Sequence, residues 1–269
     1  MIHAIFDKVG IPILILINLL LVLLETKFQL RKRIQKRFSR TVINTLVSIP
    51  SFALLRFAFL PIIVWLAYKN QEWQFGLNYF HNLPLWTKSV IAFLILDYGN
   101  YVWHILNHKI PFLWRFHLVH HSDLDMDITT AFRFHFGELI GSVVFRGAVT
   151  LLSGASPMLV LVYEIFFEAA TQFHHSNWKL PLAFERILNK LIVTPRMHGI
   201  HHSVVKQETD SNYSVIFSFW DKLHRTVSLK DLNEEVIIGV PAYNKPEEMT
   251  IGFLLKLPFT KIRSWKKTE

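Results

Sequence analysis

Histidine is the residue type in this sequence that is best placed to do chemistry. Eleven of the 14 histidines lie between residues 104 and 202. They include three spaced motifs, HxxxH at 104–108, HxxHH at 117–121 and HxxHH at 198–202. Residues four apart share one face of a helix, about 5–6 Å apart at Cβ, so such a pair can hold one metal ion or bracket two. Adjacent histidines diverge by about 100°, so one HxxHH triplet can serve two metal centres.

The three motifs supply too many ligands for one metal ion. A single ion takes about four to six ligands, whereas the motifs offer eight imidazoles, so the sequence predicts two ions. Imidazole suits iron, zinc, copper and nickel, and ligand type alone therefore leaves the metal open. The predicted ligands are His104, His108, His117, His120, His121, His198, His201 and His202.

Two residues before the first motif are candidate supports for it. Asp97 and Tyr101 precede His104 and His108 at intervals of four, three and four, which places all of them on one helical face. Ligating histidines usually donate their second N–H to a carboxylate or carbonyl, so Asp97 is a candidate acceptor, with a structural role as the alternative. Three isolated histidines are interpreted as ordinary structural residues: His3, His81 and His224.

The composition indicates a membrane protein. Apolar residues make up 51% of the 269 residues, the mean hydropathy is +0.29, and the net charge is +9. The charge is concentrated in basic segments at 27–40 and 261–267, and basic segments beside apolar spans are typical of cytoplasmic flanks that face anionic lipid. Long apolar runs argue against nucleic acid as a partner. Since cysteine is absent, disulfides, thiolate-held clusters and thiol nucleophiles are excluded.

Apolar stretches predict four to five membrane-spanning helical segments. The first covers 5–24 and is interpreted as a retained anchor, because it lacks the features of a cleaved signal. The second covers 42–68 and is interrupted by Pro50, Arg56 and Pro61, and the third covers 90–106. The stretch 139–173 is too long for one span, and its turn-forming residues 154–157 predict a helical hairpin.

The charges also predict an orientation. With the basic loop after the first span on the cytoplasmic side, the third span ends on that side and the hairpin enters and leaves there. All three histidine motifs then lie at or beyond the cytoplasmic membrane face. The predicted fold is an all-α integral membrane protein with a cytosolic helical cap that holds a histidine-rich di-metal site.

The histidine motifs and their surroundings resemble the fatty acid hydroxylase/sterol desaturase superfamily of membrane di-iron enzymes, as a bacterial-type member. The resemblance covers about 97–226 and includes further segments at 133–138 (RFHFGE), 175–177 (HSN), 208–213 (ETDSNY) and 220–221 (WD). It implies that the eight motif histidines are ligands and that His175 is a ninth. His135 and His174 are possible ligands, although Phe136 stands where the family usually has proline after the histidine.

The resemblance also implies the surroundings of the metal ligands. It implies that there are no catalytic residues beyond those ligands. Polar residues near the motifs are candidates for contacts that support the ligands or stabilise the fold. The supporting candidates are Asp97, Tyr101, Asn177, Asp210 and Asn212, and further polar residues of the matching segments are Arg133, Glu138 and Asp221.

The implied activity is insertion of oxygen into an unactivated C–H bond of a lipid such as a fatty acyl chain or sterol, with desaturation less favoured. It implies two iron ions, molecular oxygen and the bacterial inner membrane. No dinucleotide-binding loop or fused electron carrier is apparent, so an external ferredoxin-like or cytochrome b5-like donor is expected. The expected domains are membrane anchor helices at 1–88, a catalytic domain at 89–230 and an interfacial tail at 231–269.

Other functions fit the pattern less well. A zinc hydrolase needs a general-base glutamate within its motif, as in HExxH, and the three motifs lack one. A haem protein gains nothing from adjacent histidine doublets. The main alternative is a histidine-rich membrane protein that binds or transports metal without oxygenase activity.

Overall fold

The computed structural model describes residues 6–229 and 236–265, and within them the chain is helical, with isolated bridges but no strands. A π-helical turn, Phe6–Gly10, leads into the first α-helix. The long helices are α1 (Ile11–Lys27), α2 (Arg37–Leu54), α3 (Leu60–Trp73), α4 (Leu85–Lys109), α5 (Pro111–His121), α6 (Phe136–Ser153) and α7 (Pro157–His175). The short ones are α8 (Leu182–Leu188), α9 (Pro195–His201), α10 (Lys206–Thr209), α11 (Phe219–Leu223) and α12 (Ile251–Lys256).

Four helical stretches of the described chain are long and apolar enough to cross a membrane. They are Phe6–Lys27, Arg37–Tyr79, Leu85–Lys109 and Phe136–Ser153. Large aromatic side chains are exposed where these stretches end, including Trp73, Phe75, Tyr79, Phe80 and Trp86. Aromatic residues in such a ring are typical of the membrane–water interface. The chain is therefore a multi-pass membrane protein, as its composition indicates.

The predicted hairpin is confirmed as the pair α6 and α7. Gly154 ends α6 in the left-handed conformation, with φ of 62°, which glycine adopts without a steric penalty. Ser156 then caps α7 by accepting from the Leu159 N–H at 3.2 Å. The returning helix α7 carries Glu164 and Glu168 and packs against α1, α3 and α4.

The second span differs from the expected one. The helical stretch runs from Arg37 to Trp73 and bends through a single π-helical turn, Leu55–Phe59, rather than breaking. Pro50 and Pro61 each lack an N–H and so leave carbonyls of the preceding turn without a helical partner. A π-helical turn accommodates such a misfit without ending the helix.

The hairpin tip and the loop after α3 lie together at one end of the bundle. The Asn70 amide donates to the carbonyls of Thr150 at 3.2 Å and of Leu151, while Asn78 donates to Asn70 at 3.0 Å. The opposite end contains the C-termini of α1, α4 and α7 together with α5 and the short helices. This opposite end is the cap, and it holds the histidine motifs.

The basic segment at 27–40 is only partly the solvated flank that was expected. Lys27, Lys32 and Lys36 are exposed, but the four arginines of the segment contact buried groups. Arg37 bonds to buried Glu25 at 2.6 Å. Arg40 bonds to Asp123 at 2.9 Å and Asp127 at 2.6 Å, and all of these carboxylates are fully buried. The network fastens α1 and α2 to the chain that follows the second histidine motif.

The C-terminal segment packs on the cap. Leu254 and Leu257 are buried in one cluster with Val47 of α2 and Leu118 of α5, whereas Phe259 is exposed. The expected domain boundary at 230/231 and the basic residues Lys266 and Lys267 lie outside the described residues. The three-domain division stays a prediction.

Candidate metal centre

Nine buried histidines form two groups inside the cap. In each group one nitrogen from every ring lies within 4.8 Å of the others. The nine are the eight motif histidines and His175, the predicted ninth ligand. One group contains His104, His108, His117, His121 and His201; the other contains His120, His175, His198 and His202.

Each HxxHH triplet is divided between the two groups. His120 and His121 point to different groups, as do His201 and His202. This follows from helix geometry, because neighbouring residues diverge by about 100° while residues three or four apart share a face. The groups adjoin, since the rings of His121 and His202 stack with centroids 4.3 Å apart.

The histidine nitrogens fit metal ligation. Three of these buried rings have an Nε2 atom with no hydrogen-bond partner among the described residues; these rings are His108, His201 and His202. An unsatisfied buried polar atom costs about 1–3 kcal/mol, so a set of them needs a compensating ligand. A metal ion supplies that compensation, because it accepts the lone pair of each neutral ring.

Short distances between nitrogen atoms of different rings also indicate metal ligation. The Nε2 atom of His175 lies 3.0 Å from Nε2 of His120 and 3.0 Å from Nε2 of His198. In the other group, Nε2 of His117 lies 3.2 Å from Nε2 of His121. Two or three imidazole nitrogens that face one point are the arrangement that a coordinated ion requires.

Backbone carbonyls set the orientation of three rings. The Nδ1–H groups donate to carbonyls of the chain, from His104 to Tyr213 at 2.7 Å, from His201 to Ser211 at 2.7 Å and from His175 to Thr171 at 2.8 Å. In this tautomer Nε2 keeps its lone pair free. Such outer contacts fix ring orientation and raise ligand basicity.

Glu138 supports a fourth ring, and it is one of the polar residues for which the resemblance implies a supporting or fold-stabilising contact. Its Oε1 accepts from His117 Nδ1 at 3.1 Å and from Asn107 at 3.3 Å. The contact is a carboxylate–histidine pair of the kind that tunes metal sites. The sequence marks Glu138 as a polar residue of a family-like segment, but not its partner, which is 21 positions away along the chain.

Burial keeps the cap histidines neutral. Desolvation first, and neighbouring imidazoles second, lower the pKa of His121, His198 and His202 well below its ordinary value. The charged form is disfavoured in a low-dielectric interior that already holds other titratable rings. Neutral imidazole is the form that binds metal.

The two possible ligands lie outside both groups. His135 caps α6 by accepting from the Gly137 N–H at 3.0 Å, and its Nε2 contacts the Leu255 carbonyl at 3.2 Å. Both of its nitrogens are therefore engaged. His174 packs on His198, with centroids 4.0 Å apart, and its Nδ1 contacts the Val215 carbonyl at 3.2 Å.

Asp97 and Tyr101 contact the chain after the third motif rather than a histidine nitrogen. Asp97 accepts from the Trp220 indole at 2.8 Å and from the Phe217 N–H at 3.3 Å. The Tyr101 hydroxyl shares a hydrogen bond with Thr226 at 2.9 Å. These bonds hold the segment after the third motif against α4, so both residues act on the fold around the site.

Asn212 lies between the two carbonyls that orient His201 and His104. Its φ of 52° is a left-handed conformation, which asparagine tolerates better than most residues. Its amide donates to the Met197 carbonyl at 2.9 Å and the Ser228 carbonyl at 2.7 Å. The turn that presents these carbonyls is thereby fixed.

The remaining supporting candidates lie near the site without touching a ring nitrogen at hydrogen-bond distance. An Asp210 oxygen is 3.8 Å from His108 Nδ1 and 3.2 Å from Lys206. Asn177 follows His175 by two residues and is bonded through its side chain to both the N–H and the carbonyl of Arg31, at 2.9 Å each.

A small cavity touches both histidine groups. It has a volume of about 70 Å³. Its wall includes His104 and His117 of the five-membered group, His120 and His175 of the four-membered group, and Glu138. A small reactant in this cavity contacts both groups.

The sequence is similar to a known family and to several known proteins. The sequence profile of the fatty acid hydroxylase family matches residues 89–226. Alkylglycerol monooxygenase of Homo sapiens is 31% identical over 150 residues, which are 55% of this chain and 32% of that protein. An ornithine lipid hydroxylase of Rhizobium tropici is 29% identical over 184 residues, 66% of this chain and 52% of that protein.

A third relative matches over a region of similar length. A cholesterol 25-hydroxylase-like protein of Danio rerio is 30% identical over 136 residues, 50% of this chain and 53% of that protein. The chain thus spans about a third to a half of the length of these three relatives. No solved structure is significantly similar to the chain.

Proposed function

The chain belongs to the fatty acid hydroxylase family, and on that premise we propose that it is a membrane oxygenase that hydroxylates an unactivated C–H bond of a lipid. The observation that carries the proposal is the pair of buried histidine groups next to one cavity. The relatives named above are called hydroxylases or monooxygenases, which favours hydroxylation over desaturation.

We propose two iron ions as the resident metals, one held by each histidine group. Bound in this way, iron supplies the oxidising power that activates molecular oxygen for attack on a C–H bond. The site's ligands are all imidazole, and imidazole suits iron as well as zinc or copper, so the choice of iron rests on the family.

The chain's own residues position the metals and exclude water. Tyr213 and Ser211 carbonyls, together with Glu138, orient three of the rings. The rings of both groups are buried within the cap. A dry site protects a strong oxidant from side reactions with solvent and presents only the substrate that fills the adjoining cavity.

The proposal also covers the source of the reducing electrons and the side of the membrane that the cap faces. Apart from the two histidine groups, the described residues include no further group of metal ligands, and the sequence has no dinucleotide-binding loop. We therefore propose a separate ferredoxin-like or cytochrome b5-like carrier as the source of the reducing electrons. We also propose that the cap faces the cytoplasm in a bacterial inner membrane, and the basic residues beside the cap support this orientation.

Metal storage or transport without oxygenase activity is the competing function. Transport favours ligands inside the spans along a pathway. Here the groups are closed within the cap, and several rings are fixed by second hydrogen bonds, an arrangement that suits a resident metal better than one in transit.

Comparative lipid mass spectrometry tests the proposal. Cells that express the chain should contain a lipid species heavier by one oxygen atom, and cells that express His201→Ala should lack it. His81→Ala is the matched control, because His81 is exposed and belongs to neither group. A lipid profile that is the same with and without the intact protein, at equal expression and iron content, contradicts the proposed function.

A further inference from the structure

Two more cavities continue from the histidine cavity toward the outside of the helix bundle. The middle one, of about 110 Å³, shares Asn100, Trp103 and Glu138 with the histidine cavity. The outer one, of about 520 Å³, shares Phe52, Leu55 and Glu168 with the middle one. The shared walls place the three cavities in series, as a candidate path from the bundle surface to the histidines.

The path opens toward the lipid bilayer. Its outer cavity lies between α1, the π-helical turn Leu55–Phe59 and α7. The first two belong to stretches that are long and apolar enough to cross a membrane, and α7 is the returning helix of the hairpin. This π-helical turn contributes Leu55 and Arg56 to the cavity wall, and the next residue, Phe57, is exposed. A π-helical turn widens a helix locally and is frequent at functional sites. A lipid can enter by this route without passing through water.

Ionisable side chains occur along this otherwise apolar path. Arg56 pairs with Asp7 at 2.9 Å, and Arg146 pairs with Glu164. Ionisable residues at membrane depth are costly, and they usually pair with one another or serve a function. Each of these four charged side chains therefore has a partner of opposite charge.

Glu168 has no such partner. Among the described residues none forms a hydrogen bond or an ion pair with its carboxyl group, which lines both the middle and the outer cavity. The guanidinium of Arg146, which lines the middle cavity with Glu168, is engaged by Glu164 and lies over the rings of Phe59 and Phe167 at 4.7 and 4.9 Å. A carboxyl group without a partner in a mostly apolar channel is a candidate acceptor for a donor group of another molecule.

We infer that the three cavities form the substrate channel and that Glu168 binds a hydrogen-bond-donating polar group, a hydroxyl or an amine, of the lipid. The inference rests on the proposed function and identifies the class of substrate. The apolar walls accept the hydrocarbon, and Glu168 selects lipids that carry a donor. Helix geometry places His175 about 10 Å further along α7, so the polar group and the reacting carbon occupy different parts of one channel.

Photolabelling tests the inference without turnover. The probe is hexadecanol with a diazirine in its chain, compared with its methyl ether, which lacks the donor, and with the matched amine. In metal-loaded, oxygen-free protein the alcohol and the amine should label residues of the channel, and the ether should label them at least about tenfold less, the ratio expected for a lost hydrogen bond to a charged group. Glu168→Leu should abolish this preference, and Glu168→Gln should retain it for the alcohol.

Two controls accompany these variants. Glu72→Leu removes an exposed carboxylate remote from the channel and should leave labelling unchanged. Leu55→Trp narrows the junction of the outer and middle cavities and should block labelling of residues beyond it, in the middle and histidine cavities. Leu152→Trp on the exposed face of α6 should not.

The outcomes separate this inference from the proposed function. Glu168-dependent labelling without any hydroxylated product in cells supports the channel and contradicts the oxygenase. Hydroxylation in cells with labelling that is equal for alcohol and ether, or equal in Glu168→Leu, overturns the channel assignment and leaves the oxygenase intact.

Discussion

The rings of His120 and His121 are perpendicular to each other, with centroids 5.4 Å apart, and they belong to different histidine groups. Two residues joined by one peptide bond thereby serve two metal positions. The same division occurs at His201 and His202. One short helix can therefore hold two ions side by side, and loss of one histidine should affect the two ions unequally.

Substitution of these neighbours should give different metal contents. His120→Ala leaves three histidines in its group, whereas His121→Ala leaves four in the other. We expect His120→Ala to lose one of two metals almost completely, and His121→Ala to lose only part of one. Metal analysis of the purified proteins measures this, with His81→Ala as the control. Equal losses in both variants contradict the division into two groups.

Glu138 should matter for metal affinity more than for folding. Glu138→Ala removes the acceptor that orients His117, and loss of such an outer contact typically weakens metal binding by about 10–100-fold. Competition with a chelator measures the affinity, and Glu247→Ala, at an exposed site, is the control. Glu138→Gln should be milder, because the amide oxygen still accepts. Unchanged affinity in Glu138→Ala shows that the contact has no role in binding.

Gly199 is close to Arg31, and this contact should make any larger residue at position 199 destabilising. A Cβ atom at Gly199 would lie 1.7 Å from the Arg31 guanidinium, which donates to the Pro195 carbonyl at 2.8 Å. We expect Gly199→Ala to destabilise the protein by about 1–3 kcal/mol, the usual cost of overpacking. Thermal melting in detergent measures the change.

Two further variants test that explanation. Arg31→Ala combined with Gly199→Ala should recover part of the loss, because the clash is gone. Gly252→Ala is the matched control, since no atom lies within 4 Å of the added group. A Gly199→Ala variant that melts at the same temperature as the unaltered protein would contradict the close contact between Arg31 and Gly199.

Asn212 should couple the turn at 211–213 to the metal site. Asn212→Gly keeps the left-handed backbone accessible but removes the side-chain bonds to Met197 and Ser228. We expect a loss of about 1–3 kcal/mol in stability and a lower metal content, because the carbonyls of Ser211 and Tyr213 are no longer held toward His201 and His104. A stable variant with full metal content contradicts this role.

The sequence predicted those features that depend on local periodicity. The hairpin followed from the turn at 154–157 and two apolar stretches, and the helical spacing of the HxxHH motifs implied that each triplet would divide between two centres. The structure brings together the nine predicted ligands, whereas His135 and His174 lie outside both groups. Spacing along one helix is sufficient for such predictions, since it fixes which side chains share a face.

Contacts between distant parts of the chain could not be predicted in this way. The carbonyl that orients His104 belongs to Tyr213, 109 residues away. The inward turn of Arg40 depends on Asp123 and Asp127, more than 80 residues away. From spacing alone Asp97 was a plausible partner of the histidines, but Trp220 and Phe217 engage it instead. Such partners are chosen by the packing of the whole fold.

Anomalous X-ray diffraction at the iron edge, from crystals of the iron-loaded protein, tests the central claim most directly. The account predicts two peaks in the anomalous map, one within the group of His120 and His175 and one within the group of His104 and His201. A single peak shared by both groups, or strong peaks away from the histidines, would contradict it.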